Sequence, residues 1–216
     1  MLREMLENVR ERHPLIHNIT NYVTVNDCAN MLLACGGSPI MSDDADEVEE
    51  ITSICAGLNI NIGTLNRRTI PAMLLAGQKA NRLKHPVVLD PVGAGASALR
   101  TKTALELMEK VHFTVIRGNI SEIKTLADGS GTTKGVDADV DDAVTAENVG
   151  QAVAFAKNFA AKAKAIVAIT GAIDIVADVD GAYCIYNGHP MMSGITGTGC
   201  QLSALVAAYV AANPGR

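Results

Sequence analysis

Residues Val87 to Asn119, VVLDPVGAGASALRTKTALELMEKVHFTVIRGN, decide the fold. The segment begins with a short apolar strand, Val87–Asp90, and a glycine-rich loop, Pro91–Ala96, follows it. The sequence then predicts a helix over Thr101–Lys110 and a second apolar strand over Phe113–Ile116. This order of strand, helix and strand is typical of a parallel sheet, because a crossover helix must connect two parallel strands.

The same alternation continues on both sides of this segment. The other predicted helices are Leu2–Arg12, Val25–Cys35, a helix that Asp43 or Asp44 caps and that ends near Ala56, a helix that Thr69 caps, Thr145–Lys164, and an apolar helix after Cys200. The other predicted parallel strands are Pro39–Met41, Leu58–Ile62 and Ala165–Ile169. A late antiparallel hairpin is predicted over Ile173–Ala177 and Ala182–Tyr186. We therefore expect a single α/β domain over residues 1–216, with a mostly parallel central sheet and helices on both faces.

The composition argues against several classes of protein. Hydrophobic residues make up 48% of the 216 residues and charged residues 19%, so the chain can bury a large core. The net charge is −5, aromatic residues amount to 3% and tryptophan is absent, which disfavours nucleic-acid binding. We expect no membrane partner and a cytoplasmic location, because no apolar run approaches the roughly 20 residues of a span and no secretory signal is recognisable. The five cysteines contain no CxxC pair, which predicts reduced thiols.

Four segments place polar residues at the ends of predicted strands or just before the last predicted helix. The four segments are Asp90 with PVGAG, Arg117–Glu122, Thr170–Gly171 and Gly194–Cys200. In open α/β sheets, ligands bind outside the carboxyl ends of the strands. The four segments together therefore predict a ligand site at that edge of the sheet.

The segment Gly194–Cys200, GITGTGC, directly precedes the last predicted helix. Its glycine N–H groups and the start of the helix would form an anion site suited to phosphate, and the alternative is a turn into a buried helix. It lacks the lysine of a P-loop. A position at the start of a helix is expected to lower the pKa of the Cys200 thiol, which would suit a nucleophile or a weak base. The alternative for Cys200 is a small buried apolar residue.

Other polar residues also have two interpretations each. Arg117 could clamp phosphates with its planar guanidinium. Asn119 and Glu122 lie one helical turn apart, which suits a hydrated Mg²⁺ or a helix-capping pair, and the residues alone favour capping. Asp90 has no evident capping role, which favours a functional one. Thr170 either contacts phosphate or ends a strand.

The segment Pro14–Asn30, PLIHNITNYVTVNDCAN, places many polar residues between apolar ones. Substrate hydrogen bonding is one explanation, and turn formation is the other. The polar side chains here include His17, Asn18, Asn21 and Thr24. The remaining histidines show no metal-like spacing and receive no role: His13, His85, His112 and His189.

Taken together, these segments resemble the hydroxyethylthiazole kinase family of thiamine salvage, which is ribokinase-like. The matching segments occur in family order along nearly the whole chain. They are PLIHNITNYVTVNDCAN, GGSPIMSDDADEVEEI, LNINIGTL, VVLDPVGAGAS, VIRGNISEI, KGVDA, VAITGAIDIVAD and GITGTGC. The resemblance implies a ribokinase-like fold and transfer of a phosphoryl group from ATP to the alcohol of 4-methyl-5-(2-hydroxyethyl)thiazole, with Mg²⁺.

The resemblance also implies roles for particular residues. Cys200 would be the catalytic residue, at a position where most ribokinase-like proteins carry an aspartate. The implied substrate-binding residues are Met41, Gly197 and Asn21. The implied ATP-binding residues are Arg117, Thr170 and Gly199. The implied metal-binding residues are Asp90 and Glu122.

Family members are further expected to be homotrimers with active sites at subunit interfaces. They usually continue for several more helices, so this chain is expected to lack the last helices of the family. Two alternatives stay open beside the thiazole kinase. One is a catalytically inactive ligand-binding or assembly subunit. The other is a different ribokinase-like activity, such as a kinase for another small alcohol.

Overall fold

The computed structural model describes residues 2–129 and 143–215. Its helices are α1 (Leu2–Arg12), α2 (Val25–Cys35), α3 (Val48–Ile54), α4 (Thr69–Leu83), α5 (Ala98–Lys110), α6 (Ile120–Asp128), α7 (Val149–Ala163) and α8 (Thr198–Ala212). Its strands are β1 (Leu15–Ile19), β2 (Ser38–Met41), β3 (Gly57–Asn61), β4 (Val87–Asp90), β5 (Val115–Asn119), β6 (Ile166–Thr170), β7 (Asp174–Ala177) and β8 (Ala182–Ile185). The KGVDA segment lies outside the described residues.

The chain divides into two compact units. Unit 1 comprises Met1–Asp90, Lys110–His112 and Gly197–Arg216, and unit 2 comprises Pro91–Glu109 and Phe113–Thr196. The prediction of a single domain stays a prediction.

In unit 1, four parallel strands lie in the order β2-β1-β3-β4. Every residue of β3 and β4 is buried, so both faces of the sheet are covered there. Helix α8 approaches closely because small residues meet at its contact with the sheet. A Cβ built on Gly57 of β3 would lie 3.3 Å from the Cβ of Ala211 in α8.

Unit 2 contains β5 and β6 as a parallel pair, followed by β7 and β8 as antiparallel neighbours. The β7–β8 turn closes with a hydrogen bond from the Asp178 N–H to the Gly181 carbonyl. Helix α7 packs on β6 and β7. The predicted α/β fold, with mostly parallel strands and a late antiparallel hairpin, is confirmed.

The predicted helix bounds are confirmed for α1 and α2. Gly36 ends α2 in the left-handed conformation, with φ of 99°, and its N–H bonds to the carbonyls of Leu32 and Leu33. A glycine adopts this conformation at little cost, which explains why the helix stops there.

The predicted start of α3 is wrong, and so is the predicted cap of α4, although α4 begins where the sequence indicated. Helix α3 begins at Val48, because the Asp44 carbonyl already accepts the N–H groups of Glu47 and Val48 in a turn before it. Helix α4 begins at Thr69, but the side chain that accepts the N–H groups of Arg68 and Thr69 is Asn66. Asn66 therefore provides the helix cap that was predicted for Thr69.

The bounds of several other elements also differ from the predicted bounds. Strand β5 extends to Asn119, so Arg117 lies within the strand and not after it. Helix α7 begins at Val149 and not at Thr145, whose N–H bonds to the side chain of Asn148. A five-residue 3-10 helix over Pro190–Gly194 was not predicted.

Candidate active site

Cys200 lies in the first turn of α8, and its side chain is buried. The Asn21 amide nitrogen donates a hydrogen bond to the Cys200 sulfur over 3.2 Å. Burial raises the pKa of the Cys200 thiol, and the negative charge of Asp90 adds to this effect. The expectation that the helix start lowers this pKa is therefore wrong, because the loss of hydration outweighs the helix dipole.

Asn21 uses both ends of its amide in this cluster. Its nitrogen also donates to Asn61 Oδ1 over 3.0 Å. Its oxygen accepts from the backbone N–H and the hydroxyl of Thr24, over 3.2 Å and 3.1 Å. Asn21 thus holds the end of β3, the start of α2 and the Cys200 thiol together.

Asp90 ends β4 and is fully buried. Its Oδ2 atom accepts hydrogen bonds from the Asn61 amide and from the Ser203 hydroxyl, both at 2.8 Å. Side chains therefore connect Cys200, Asn21, Asn61 and Asp90 in one continuous chain of hydrogen bonds, which we call the Asp90 cluster. It lies at the carboxyl ends of β3 and β4 and the amino end of α8.

Gly197 precedes α8 with φ of 82°, in the left-handed region. A Cβ built on it would lie 2.3 Å from Cγ2 of the buried Thr24. Both observations require a glycine at this position. The backbone of the α8 start can therefore lie directly against the start of α2.

Met41 ends β2 and is half-buried. It pairs with Asn18 of β1, which in turn pairs with Asn59 of β3. Strands β1 and β3 separate β2 from β4, so strand spacing places Met41 about 14 Å from Val88, the residue level with it in β4, and somewhat farther from Asp90. Met41 is therefore at the same edge of the unit 1 sheet as the Asp90 cluster, but outside its hydrogen bonds.

In unit 2, the structure brings Arg117 and Thr170 together. The Arg117 guanidinium donates a short hydrogen bond to the Thr170 hydroxyl. The two residues stand on the parallel neighbours β5 and β6. Two polar side chains predicted to contact phosphate are thus adjacent.

Glu122 occupies the first turn of α6 in unit 2 and is buried. Its Oε2 accepts the Asn119 N–H over 2.8 Å, and the Asn119 side chain accepts the Glu122 N–H over 2.8 Å. This reciprocal pair is a capping box, as the residues alone favoured. Glu122 Oε1 also accepts the Gly93 N–H over 2.7 Å, so the carboxylate holds the loop after β4 as well. We call Glu122, Asn119 and Gly93 the Glu122 cluster.

Sequence reasoning did not single out Asn61 and Ser203. The alternation in Leu58–Ile62 could have indicated Asn61, because Asn59 and Asn61 lie two residues apart and share one face of β3. Ser203 follows Cys200 by three residues in an apolar helix, which places both on one face. A polar residue three positions after Cys200 in an otherwise apolar helix was the signal that could have indicated Ser203.

Comparisons with known proteins identify the family of the chain. A model described as the hydroxyethylthiazole kinase family matches residues 6–216. The chain belongs to the hydroxyethylthiazole kinase family. This membership confirms the family resemblance of the sequence motifs.

Relatives in the hydroxyethylthiazole kinase family are similar over nearly the whole chain. The hydroxyethylthiazole kinase of Clostridium acetobutylicum is 68% identical over 213 residues, which cover 99% of this chain and 78% of that protein. The solved structure of the hydroxyethylthiazole kinase protein from Pyrococcus horikoshii OT3 is 40% identical, with a TM-score of 0.85 over 97% of this chain and 76% of the other.

A more distant solved structure shows the fold alone. A ribokinase-like superfamily protein from Enterococcus faecalis V583 is 10% identical, with a TM-score of 0.63 over 96% of this chain and 73% of the other. The ribokinase-like fold predicted for this hydroxyethylthiazole kinase family member is therefore confirmed. Among residues 2–129 and 143–215, no helix is long and apolar enough to cross a membrane.

Proposed function

We propose that this chain transfers the terminal phosphoryl group of ATP to the hydroxyethyl alcohol of 4-methyl-5-(2-hydroxyethyl)thiazole. Membership of the hydroxyethylthiazole kinase family supports this reaction. The observation that carries the proposal is the Asp90 cluster, which joins a buried thiol, two amides and a buried carboxylate at the carboxyl ends of two parallel strands. Ligands of open α/β sheets bind at such an edge.

The thiazole alcohol would bind beside Cys200. Asn21 and Gly197 would line this end of the site, and Met41 would contact the thiazole ring. The positive φ of Gly197 supports its role, because this left-handed turn leads directly into α8, whose first N–H groups can bind a substrate oxygen. Gly199 would add its N–H to the phosphate-binding end of the same turn.

Arg117 and Thr170 would bind the phosphates of ATP. Their mutual hydrogen bond supports this, because it holds the guanidinium in one orientation before any ligand arrives. Arginine presents several donors in a plane that matches phosphate oxygens. A preorganised positive group is the main requirement of phosphoryl transfer, in which positioning and charge neutralisation dominate.

Asp90 and Glu122 would hold Mg²⁺, directly or through water. Among the described residues, no group of three or more histidine, cysteine or acidic side chains could hold a metal. Proteins usually bind Mg²⁺ with one or two carboxylates, and phosphate oxygens and water complete the octahedron. Asp90 offers a buried carboxylate of this kind. The Glu122 carboxylate accepts two backbone N–H groups, and each of its oxygens keeps a second lone pair that can bind a water. The bound ion would neutralise charge on the phosphates.

Cys200 would act on the proton of the alcohol. Its raised pKa leaves it mainly as a thiol near neutral pH, so its sulfur can accept only a weak hydrogen bond from the alcohol. A weak base suffices if the transition state is loose, because the alcohol then keeps its proton until late. We expect Cys200→Ala to lower kcat by about a hundredfold or less, and Cys200→Asp to retain or raise kcat. Complete inactivity of both variants, each folded by circular dichroism, would contradict this modest role.

The protein would act in the cytoplasm as a homotrimer with active sites at subunit interfaces. The exposed apolar side chains of Tyr22 and Val23 support a covered surface, because they directly follow Asn21 of the Asp90 cluster. Analytical ultracentrifugation of the purified chain measures the oligomer. A monomer at micromolar concentration would argue against the trimer.

The test of the activity is a coupled assay of ADP release with Mg·ATP. We expect release to depend on the thiazole alcohol and to be absent with 4-methyl-5-ethylthiazole, which has the ring but no hydroxyl. Mass spectrometry of the product should show one added phosphoryl group. Folded protein that binds the thiazole without releasing ADP would instead indicate a binding subunit.

A further inference from the structure

His17 lies in the middle of β1 and is fully buried, but it does not belong to the Asp90 cluster. Both of its ring nitrogens have partners. Nδ1 lies 3.0 Å from the Thr52 hydroxyl of α3, and Nε2 lies 2.9 Å from the Ser42 carbonyl. The ring thus connects three segments: β1, α3 and the backbone that follows β2.

The chemistry of these partners fixes the state of the ring. Burial lowers the pKa of His17, so the imidazole is neutral. The Ser42 carbonyl can only accept, so Nε2 must carry the hydrogen. Nδ1 is then an acceptor, and the single hydrogen of the Thr52 hydroxyl is shared between Nδ1 and the Val48 carbonyl, to which that hydroxyl donates over 2.7 Å one turn earlier in α3. The imidazole therefore donates to Ser42 through Nε2, while Nδ1 faces the Thr52 hydroxyl of α3.

Ser42 directly follows Met41, where β2 ends and its ladder to β1 stops. The Ser42 hydroxyl donates to a Glu47 carboxylate oxygen in the turn before α3. The backbone after Met41 is therefore held at two points, by the imidazole through its carbonyl and by Glu47 through the side chain of Ser42.

His17 and Met41 act on opposite faces of the sheet. His17 points toward α3, and the next residue, Asn18, points to the other face, where it bonds to Asn59. Met41 pairs with Asn18 and so shares its face. A histidine beneath the sheet can thus set the position of a side chain above it through the backbone alone.

We propose that His17 is a positioning residue for the thiazole ring, because its hydrogen bond to the Ser42 carbonyl fixes the backbone that carries Met41. The proposal rests on the proposed function, in which Met41 contacts the thiazole. A histidine with only a structural role would need both ring bonds for stability. A positioning histidine needs the Ser42 bond for substrate binding as well.

Two substitutions separate the ring bonds. The amide of His17→Gln reaches about as far as Nε2 and can donate to Ser42, whereas the amide of His17→Asn reaches about as far as Nδ1 and keeps only the Thr52 bond. Thr52→Val is the matched control, since it removes the Thr52 bond and leaves Nε2 in place. Each variant loses one of the two hydrogen bonds that the side chain at position 17 makes in the wild type. All three should therefore lose a similar free energy of unfolding in urea.

Steady-state kinetics of the full chain then distinguish the variants. We expect His17→Asn to raise KM for the thiazole about five- to tenfold, the size of one lost hydrogen bond, with kcat and the KM for ATP nearly unchanged. His17→Gln and Thr52→Val should keep the wild-type KM for the thiazole. Equal KM values in His17→Asn and His17→Gln, or a raised KM in Thr52→Val, would overturn the proposal.

Ser42→Ala provides a second measurement if His17→Asn does not fold. It removes the bond to Glu47 from the same backbone segment, and we expect it to raise KM for the thiazole by a smaller factor. An unchanged KM in folded Ser42→Ala would then overturn the proposal. Wild-type protein without thiazole-dependent turnover would overturn the proposed function and this inference with it. Active wild-type protein, with the same KM for the thiazole in His17→Asn and His17→Gln, would overturn this inference alone.

Discussion

The two predicted metal carboxylates are held in different ways. Side chains hold Asp90, through the Asn61 amide and the Ser203 hydroxyl. The backbone holds Glu122, through the N–H groups of Asn119 and Gly93. A charge held by side chains can be removed while its neighbours keep their backbone conformation. A charge held by the backbone also maintains a loop and a helix start, so its removal should affect folding as much as turnover.

The largest expected effect is the loss of turnover in Asp90→Asn. The amide oxygen of the variant can still accept from Asn61 and Ser203, but the negative charge is gone. Because a metal ion supplies several kcal/mol of transition-state stabilisation, we expect kcat/KM in the ADP-release assay to fall about a thousandfold. The free energy of unfolding in urea should change by less than about 1 kcal/mol. A large loss of stability in this variant would contradict the comparison.

An asparagine-to-aspartate substitution made in both clusters should show the difference between a carboxylate held by side chains and one held by the backbone. Asn61→Asp removes the donor to Asp90 and places a second carboxylate against it in a buried setting, so we expect a loss of about 3 kcal/mol in the free energy of unfolding. Asn119→Asp keeps an oxygen that caps α6, where aspartate is as suitable as asparagine. Its loss should stay below about 1 kcal/mol. Equal losses in urea unfolding at pH 7 would show that the two clusters are not held differently.

A smaller effect is expected for Glu122→Gln. The glutamine side chain has one oxygen where the carboxylate has two, so only one of the N–H groups of Gly93 and Asn119 keeps its acceptor. We expect the free energy of unfolding to fall by about 2 kcal/mol, because a buried N–H loses its partner. Asp90→Asn measured in the same urea series is the control. A Glu122 variant as stable as wild type would mean that the carboxylate acts only on ligands.

The smallest expected effect is a pH dependence that His17 adds to unit 1. Burial, the largest cause, lowers the pKa of His17 below 6.5, although the Ser42 carbonyl and the charge of Glu47 oppose this. Below pH 6.5 the unfolded chain therefore binds a proton that the folded chain does not, and stability falls as the pH falls. The slope from this one group is at most about 1.4 kcal/mol per pH unit.

The difference between wild type and His17→Gln isolates this contribution. His85, whose pKa burial also lowers, contributes equally to both proteins and cancels. We expect the two curves of unfolding free energy against pH to run parallel above pH 6.5 and to converge below it. Parallel curves down to pH 5 would show that His17 is not buried in the neutral form.

The parts of the fold that were predictable are those with local signals. The apolar stripe of α1 and the glycine after α2 set bounds that the structure confirms. The start of α3 was not predictable from Asp43 and Asp44, because a turn that uses the Asp44 carbonyl precedes the helix. Cap residues of similar chemistry compete within a few positions, and the turn geometry decides between them.

The candidate site was predictable in its residues more than in its connections. Asp90 and Cys200 stood out through their places at the ends of predicted elements, but the amide of Asn61 that links them through Asn21 was not singled out. Residues 61 and 90 face each other only through the β3–β4 register, which no local pattern contains. The direction of the Cys200 pKa was also missed, since it depends on how deeply the thiol is buried.

The amide of Asn21 has a single orientation that satisfies its partners. Asn61 must direct its nitrogen at the Asp90 carboxylate, so its oxygen faces Asn21 and the Gly63 N–H. The Asn21 nitrogen must then face that oxygen, and the same nitrogen meets the sulfur of Cys200. From this side the sulfur only receives a hydrogen, so the S–H bond of the thiol has to point away from Asn21. A charge on Asp90 thus sets, across two amides, the direction in which Cys200 can give up its own proton.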